Sequence, residues 1–206
     1  MLILMLTGMA YLLGSLSGSL LLGKLRGVDI RQLGSGNAGG TNALRTQGAW
    51  FALGTVLADI GKGVLAAWLA WRWLPLSAQP GASYLCALAA VAGHVWPVFH
   101  GFRGGKGAAT LVGTLCVLWP ASLPLALTVW LLGVTLTGYV GLSTMLAGIS
   151  VAVLASFTPA DHARLVFAII AMLLLLFTHR ANLARLRAGN ESRFESMRVL
   201  GRLFRR

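Results

Sequence analysis

The sequence predicts an all-α membrane protein that crosses a lipid bilayer several times, and three observations carry that prediction. Of its 206 residues, 57% are hydrophobic and only 11% charged, with a mean hydropathy of +0.77. A soluble domain of this size needs far more polar surface, because its outside faces water. The apolar residues also fall in long runs, several near the roughly 20 residues that carry a helix across a hydrocarbon core of about 30 Å. Finally, most of the basic residues lie between those runs.

The runs fall at 2–23, 49–73, 83–100, 108–157 and 163–178. The first lacks the basic start of a signal peptide and a small-residue cleavage site, so it reads as a retained span. The stretch 108–157 is too long for one span. Pro120 and Pro124 break it once, and the polar, Gly-containing Thr137–Ser143 breaks it again, giving three short helices or, without the second break, two longer ones. Charge decides between these counts. Segment 24–48 carries Lys24, Arg26, Arg31 and Arg45, segment 101–107 carries Arg103 and Lys106, and the tail carries eight arginines from Arg180 to Arg206. The intervening segments hold only Arg72 and Arg164. The positive-inside rule then puts the three basic segments in the cytoplasm, and 108–157 must cross an odd number of times. Seven transmembrane helices follow, in one integral-membrane domain over 1–206, with the N-terminus outside and the C-terminus cytoplasmic.

The net charge of +12 would suggest nucleic acid in a soluble protein. Here its placement sets orientation, and no nucleic-acid partner is expected. Cys86 and Cys116 both sit inside apolar runs and read as buried small hydrophobes rather than as a disulfide or a metal pair.

Three segments carry chemistry. The first is Gly34-Ser35-Gly36-Asn37-Ala38-Gly39-Gly40-Thr41-Asn42, followed by Arg45. Gly34, Gly36 and Gly39 satisfy G-x-G-x-x-G, but that pattern marks a dinucleotide site only within a βαβ unit, and here it follows a membrane span. Its physical content survives: glycines let backbone N–H groups converge on an anion, and Ser, Thr, Asn and Arg add donors. The second runs from Gly93-His94 through Pro97 to Arg103-Gly104-Gly105-Lys106-Gly107-Ala108-Ala109-Thr110. A Walker A motif has Ser or Thr directly after its Lys, and Gly107 stands there. A Lys among glycines at a helix start remains, which is an anion site. Arg103 serves either a phosphate or the headgroup region, and His94, in an apolar helix, reads as a hydrogen-bonded structural residue. The third is Thr178-His179-Arg180-Ala181-Asn182-Leu183-Ala184-Arg185-Leu186, then Gly189 and Glu191. His179, Asn182 and Leu186 share a helix face by their spacing, while the arginines beyond Arg193 suit anionic lipid headgroups. Asp59 and Lys62, three apart in the second span, can pair.

The five acids are Asp29, Asp59, Asp161, Glu191 and Glu195. The topology puts Asp161 outside, so it cannot orient His179 in a Ser-His-Asp relay. No Cys/His cluster offers a metal site. No His is followed five residues later by an acid, so the H-x-x-x-x-D signature of the common glycerolipid acyltransferases is absent. The chemistry expected is that of phosphorylated substrates with lipid character, handled by positioning and electrostatics.

On Gly34 to Asn37, Gly39 to Asn42, Gly93-His94, Pro97, Arg103 to Thr110, His179, Asn182, Arg185-Leu186, Gly189 and Glu191, the chain resembles the bacterial acyl-phosphate:glycerol-3-phosphate acyltransferases, the PlsY family. The likeness spans nearly the whole chain in order. Ala38 departs from the Pro often expected there, and Ala108 from a bulkier Val. The resemblance implies transfer of a fatty acyl group from acyl phosphate to the 1-hydroxyl of glycerol 3-phosphate. The products would be lysophosphatidic acid and inorganic phosphate, in the first acylation of phospholipid biosynthesis. It further implies a multi-pass protein of the bacterial inner membrane, monomeric, with a cytoplasmic-side active site, no cofactor, no metal, and membrane lipids as its other partners. Under it His179, Asn182, Lys106 and Ser35 are catalytic. Substrate binding falls to Arg45, Thr41, Asn42, Asn37, Gly39, Gly40, Gly104, Gly105, Ser143 and Glu191. Ser35, Arg45, Lys106 and Ser143 would hold glycerol 3-phosphate; Thr41, Asn42, His179 and Asn182 would surround the acyl phosphate. The base is either His179 or a substrate phosphate oxygen. Two rival readings are a transporter for a phosphorylated solute and a membrane nucleotide-binding protein. The first lacks an inverted repeat, the second a Walker Ser/Thr and a Walker B acid.

Overall fold

The structure, a computed structural model, describes residues 1–158 and 161–200. Arg202, Arg205 and Arg206 of the basic tail lie outside the described residues. Among the described residues every regular element is a helix, and the chain divides into two compact units, Met1–Pro120 and Ala121–Arg206.

The first unit holds α1 (Leu2–Gly14), α2 (Gly18–Leu25), α3 (Gly40–Gln47), α4 (Ala49–Trp73), α5 (Gln79–Val95) and α6 (Ala108–Leu118). Its main packings are α4 on α6 and α1 on α5. Small residues dominate the buried cluster, with Ala10, Ala66, Ala70, Ala82, Cys86 and Ala90 beside Leu6 and Leu74. That composition suits apolar helices, whose association relies on close backbone approach rather than on escape from water. The α4–α6 crossing shows the limit of this approach. A Cβ at Gly113 would collide with the Ile60 carbonyl oxygen, and one at Gly63 with that of Thr110. Gly113→Leu is therefore expected to destabilise the protein by about 1–3 kcal/mol or more, read as a lowered unfolding midpoint in detergent.

The run at 2–23, expected as one span, is two helices bent by 46° about Ser15–Ser17. A break inside apolar surroundings exposes backbone groups that must find partners. Here Ser15 Oγ donates back to the Tyr11 carbonyl (2.9 Å), Lys62 Nζ donates to the Leu16 carbonyl (2.9 Å), and Gly18 N–H donates to Asp59 Oδ1 (3.1 Å). The last two of those partners come from α4, so no local pattern announces the bend. The Asp59–Lys62 pair expected from spacing is formed at 3.0 Å. Of the two cysteines, Cys86 is buried as expected. Cys116 is not: it points off the surface of α6, and both thiols are free.

The second unit holds α7 (Leu123–Thr137), α8 (Val140–Ser156), α9 (His162–Thr178) and α10 (Arg180–Arg187). α8 packs on α7 and α9, and α10 contacts both α8 and α9. Stretch 108–157 does form three helices. Its first break is the short 3-10 turn Pro120–Ser122, and Pro124 opens α7 at a position where its missing N–H costs nothing. The second break is narrower than Thr137–Ser143. Gly138, at φ +78°, ends α7, and α8 begins at Val140. Asp161 caps α9 by accepting from Arg164 N–H (2.8 Å), and α9 bends by 53° into α10 at His179.

Three helical segments are long and apolar enough to cross a membrane: Ala49–Trp73, Gln79–His100 and Pro120–Thr137. Taking each bent pair as one span raises this to five, and Ala108–Leu118 and Val140–Ser156 are shorter apolar helices.

Candidate active site

The candidate residues fall in two groups, one in each unit. In the first unit, the segment leading out of α2 begins with a clamp that sequence reasoning missed. The Asp29 carboxylate accepts from Arg31 N–H (3.0 Å) and from Nε and Nη2 of the same guanidinium (3.0 and 2.8 Å). Arg31 Nη1 then donates to the carbonyls of His100 (2.9 Å) and Arg103 (3.2 Å). One guanidinium thus ties the first glycine segment to the second. In sequence Arg31 registered only as a loop charge, because its carbonyl partners are about 70 residues away and carbonyls leave no mark in a sequence.

The clamp has a pH signature. The hydrogen bonds from Arg31 hold the Asp29 carboxyl below its ordinary value of 3.8, against a smaller opposing effect of burial, and the same pairing raises the Arg31 guanidinium. A depressed carboxyl contributes stability that is present above its unfolded value and is lost as pH falls through the folded value. The difference in unfolding midpoint between the protein and its Asp29→Asn variant should therefore stay constant above about pH 4 and shrink below it.

Asn42, expected at the acyl phosphate, has protein partners for its side chain. Its side chain is buried and turned into the preceding loop: Nδ2 donates to the carbonyls of Ile30 (3.1 Å) and Leu33 (3.0 Å), and Oδ1 accepts from Ser35 N–H (3.0 Å). Adjacent helical positions point about 100° apart. Thr41 and Arg45, four apart, therefore share a face of α3 while Asn42 faces the loop. Gly34, at φ +56°, leaves no room for a side chain against Asn42 Oδ1. Asn42 thereby holds Ser35, an exposed residue, in place.

The second segment folds back on α5. Gly104 N–H donates to the Val95 carbonyl (3.2 Å) and Gly105 N–H to that of His94 (3.1 Å). A Cβ at Gly105 would strike His94 Nε2 and would lie 2.6 Å from the carbonyl oxygen of Ala38. The two glycine segments therefore meet, at Ala38 and Gly105. Gly39 is the extended N-cap of α3. Gly107, at φ +87°, is the N-cap of α6, directly after Lys106. Two helix N-termini, with their unpaired N–H groups and partial positive charge, open beside this meeting point. It carries Ser35, Asn37, Gly39, Gly40, Thr41 and Arg45 on one segment and Gly104, Gly105 and Lys106 on the other. Such an arrangement suits an anion, above all a phosphate.

In the second unit, His179 is both the C-cap of α9 and the N-cap of α10, and it is buried. Its Nδ1 lies 2.8 Å from the Leu175 carbonyl oxygen. A carbonyl only accepts, so Nδ1 carries the proton there and Nε2 is the basic nitrogen. Asn182 lies against Gly141, whose missing side chain makes the room. It donates to Glu191 Oε1 (2.6 Å), and Glu191 Oε2 accepts from Arg185 Nε (2.7 Å). Glu191, expected to take part in substrate binding, thus faces Asn182 and Arg185. Ser143, expected at glycerol 3-phosphate, stands in the α7–α8 contact. It is fully buried, donates to the Tyr139 carbonyl (2.8 Å) and packs against Gly133. A hydroxyl at that helical position satisfies the turn above it. Sequence reasoning also missed the hold on the α7–α8 turn, where Phe194 N–H donates to the Gly138 carbonyl (2.9 Å) and Arg193 Nε to the Tyr139 hydroxyl (2.6 Å).

Comparison with known proteins identifies the family. The pattern of the family described as glycerol-3-phosphate acyltransferase matches residues 3–189. A glycerol-3-phosphate acyltransferase of Pseudomonas savastanoi pv. phaseolicola is 44% identical over 187 residues, 90% of this chain and 94% of its own. Two crystal structures of PlsY, an integral membrane glycerol 3-phosphate acyltransferase, superpose over 96% of this chain and 98% of theirs. The glycerol 3-phosphate form gives a TM-score of 0.88 at 36% identity and the lysophosphatidic acid form 0.86 at 35%. By sequence pattern, identity and fold together, this chain belongs to the glycerol-3-phosphate acyltransferase family and is an all-helical, integral membrane acyltransferase.

Proposed function

We propose that the protein transfers a fatty acyl group from acyl phosphate to the 1-hydroxyl of glycerol 3-phosphate, releasing inorganic phosphate and lysophosphatidic acid. The observation that carries this reading is the meeting of the two glycine segments at Ala38 and Gly105, beside two helix N-termini and next to Lys106. The relatives solved with glycerol 3-phosphate and with lysophosphatidic acid support the same acceptor and product. Ser35, Arg45 and Lys106 hold the acceptor phosphate, helped by the backbone of Asn37, Gly39, Gly40, Gly104 and Gly105. Ser143 also serves the acceptor, Thr41, Asn42, His179 and Asn182 serve the donor, and Glu191 takes part in substrate binding beside Asn182.

An acyl phosphate is a mixed anhydride with a good leaving group, so direct attack by the hydroxyl needs no covalent enzyme intermediate. The catalytic work is to hold two anionic phosphates close together and to stabilise charge as it moves to the leaving phosphate. The Nδ1–Leu175 hydrogen bond leaves Nε2 of His179 as the nitrogen suited to take the hydroxyl proton; a substrate phosphate oxygen is the alternative base.

Seven crossings, with the N-terminus outside and the active site on the cytoplasmic side of a bacterial inner membrane, complete the proposal, the protein acting as a monomer. The three long apolar segments, two bent pairs and two shorter apolar helices supply seven candidates. The loop charges favour that orientation.

The purified protein in detergent, given acyl phosphate and glycerol 3-phosphate, is expected to release inorganic phosphate with both substrates present. No release above the no-enzyme control would overturn the reading. His179→Gln in the same assay separates the two bases. A loss on the order of 10²–10⁴-fold in kcat identifies His179, and near-normal turnover identifies the substrate phosphate.

A further inference from the structure

Asp59, Lys62 and His94 form a buried polar cluster within the first unit that the proposed chemistry does not use. They are 1%, 7% and 3% exposed. Lys62 Nζ has three partners: Asp59 Oδ1 at 3.0 Å, the Leu16 carbonyl at 2.9 Å and His94 Nδ1 at 2.8 Å. An ammonium has three hydrogens and no lone pair, so its capacity is filled. His94 Nδ1 accepts, and the ring proton of a neutral His94 lies on Nε2. That nitrogen occupies the space a side chain at Gly105 would need, and the His94 carbonyl accepts from Gly105 N–H.

Ionisable groups in an apolar span are costly, and they persist where they carry function or are tightly paired. Closing the α1–α2 break explains Asp59 and Lys62 only in part. The Leu16 carbonyl needs one donor and the Gly18 N–H one acceptor, and neither partner has to be charged. The break also does not call for an imidazole between Lys62 and a glycine loop. What the imidazole does is transmit the position of Lys62 to the backbone of Gly105, one residue before Lys106.

We propose that Lys62 and His94, anchored by Asp59, are positioning residues for acyl transfer: they seat Gly105 and thereby set Lys106 against the acceptor phosphate. This rests on the reading of Lys106 as a ligand of glycerol 3-phosphate. Displacement of a positioned group by about an ångström costs on the order of a hundredfold. The loss should appear in the acceptor alone, because the donor is assigned to other residues.

The test uses the full-length protein in detergent. His94→Asn keeps an amide where Nδ1 faces Lys62 and removes the ring edge that seats Gly105. The paired change Asp59→Asn with Lys62→Met removes both charges together, which leaves no unpaired ion if Lys62→Met alone fails to fold. Both variants are expected to raise KM for glycerol 3-phosphate by about tenfold or more, with KM for acyl phosphate close to that of the parent. The unfolding midpoint stays near the parent's in His94→Asn and falls in the paired variant, where the Leu16 carbonyl loses its donor. A merely structural cluster would lower the active fraction, so kcat would fall with both KM values unchanged; that result overturns the proposal. If the paired variant does not fold, His94→Asn decides, since it retains the ion pair. If the parent protein releases no phosphate, the donor assignment fails, and equilibrium dialysis of glycerol 3-phosphate against parent and His94→Asn still decides this inference: equal affinity overturns it.

Discussion

Lys106→Ala is expected to abolish most acyl transfer while the protein still folds and inserts. Lys106 lies between Gly105 and Gly107, immediately ahead of the N-cap of α6, where backbone N–H groups and the helix dipole already favour an anion. Truncating one partner of a hydrogen-bonded charge pair costs about 2–5 kcal/mol. That corresponds to a loss of between about thirtyfold and several thousandfold in kcat/KM for glycerol 3-phosphate. The measurement is steady-state phosphate release with the acceptor varied, alongside an unfolding curve. Full retained activity would remove Lys106 from the site. An Arg in its place is not expected to restore the rate, because a planar fork does not substitute for a compact ammonium set between two glycines.

Gly105→Ala is the second large effect, and it arises from space alone. The added methyl would meet His94 Nε2 and sit 2.6 Å from the Ala38 carbonyl oxygen. Backbone and a ring pinned by Lys62 have little freedom to give way, so the two glycine segments must separate. A fall of about a hundredfold in kcat/KM is expected from misplacement of that order, with only a modest change in unfolding midpoint, since the loop is not part of the helix packing. Gly8→Ala is the control. A Cβ there meets nothing within 4 Å, and in the middle of α1 Ala is favoured over Gly by about 1 kcal/mol. If Gly105→Ala behaves like Gly8→Ala, the two segments do not need to meet for catalysis.

Much of the fold was legible in the sequence. Hydropathy located the runs that became α4, α5 and the three helices within 108–157, because crossing an apolar layer constrains every residue of a span. The small glycine-rich segments stood out for a similar reason: an anion site built from backbone needs residues without side chains. The Asp59–Lys62 pair was visible because its partners are neighbours on one helix. The third partner was not, since His94 comes 32 residues after Lys62 and alone looks like any buried histidine.

The protein partners of three site residues were not legible. The motifs name Asn42, Ser143 and Glu191 for substrate binding. Type and place say that a polar group is needed, not what it faces. Asn42 turns to the carbonyls of Ile30 and Leu33, Ser143 to Tyr139 and Gly133, and Glu191 to Asn182 and Arg185. Composition, run length and loop charge are local sums along the chain, so the sequence by itself determined the membrane-spanning class, the all-helical build and the polar segments that carry the chemistry. The bend at Ser15–Ser17, the Arg31 clamp and the seat of Gly105 on His94 depend on backbone carbonyls and on side chains from distant helices. Only the tertiary structure decided those, because every carbonyl looks alike in a sequence and packing alone selects the one a donor meets.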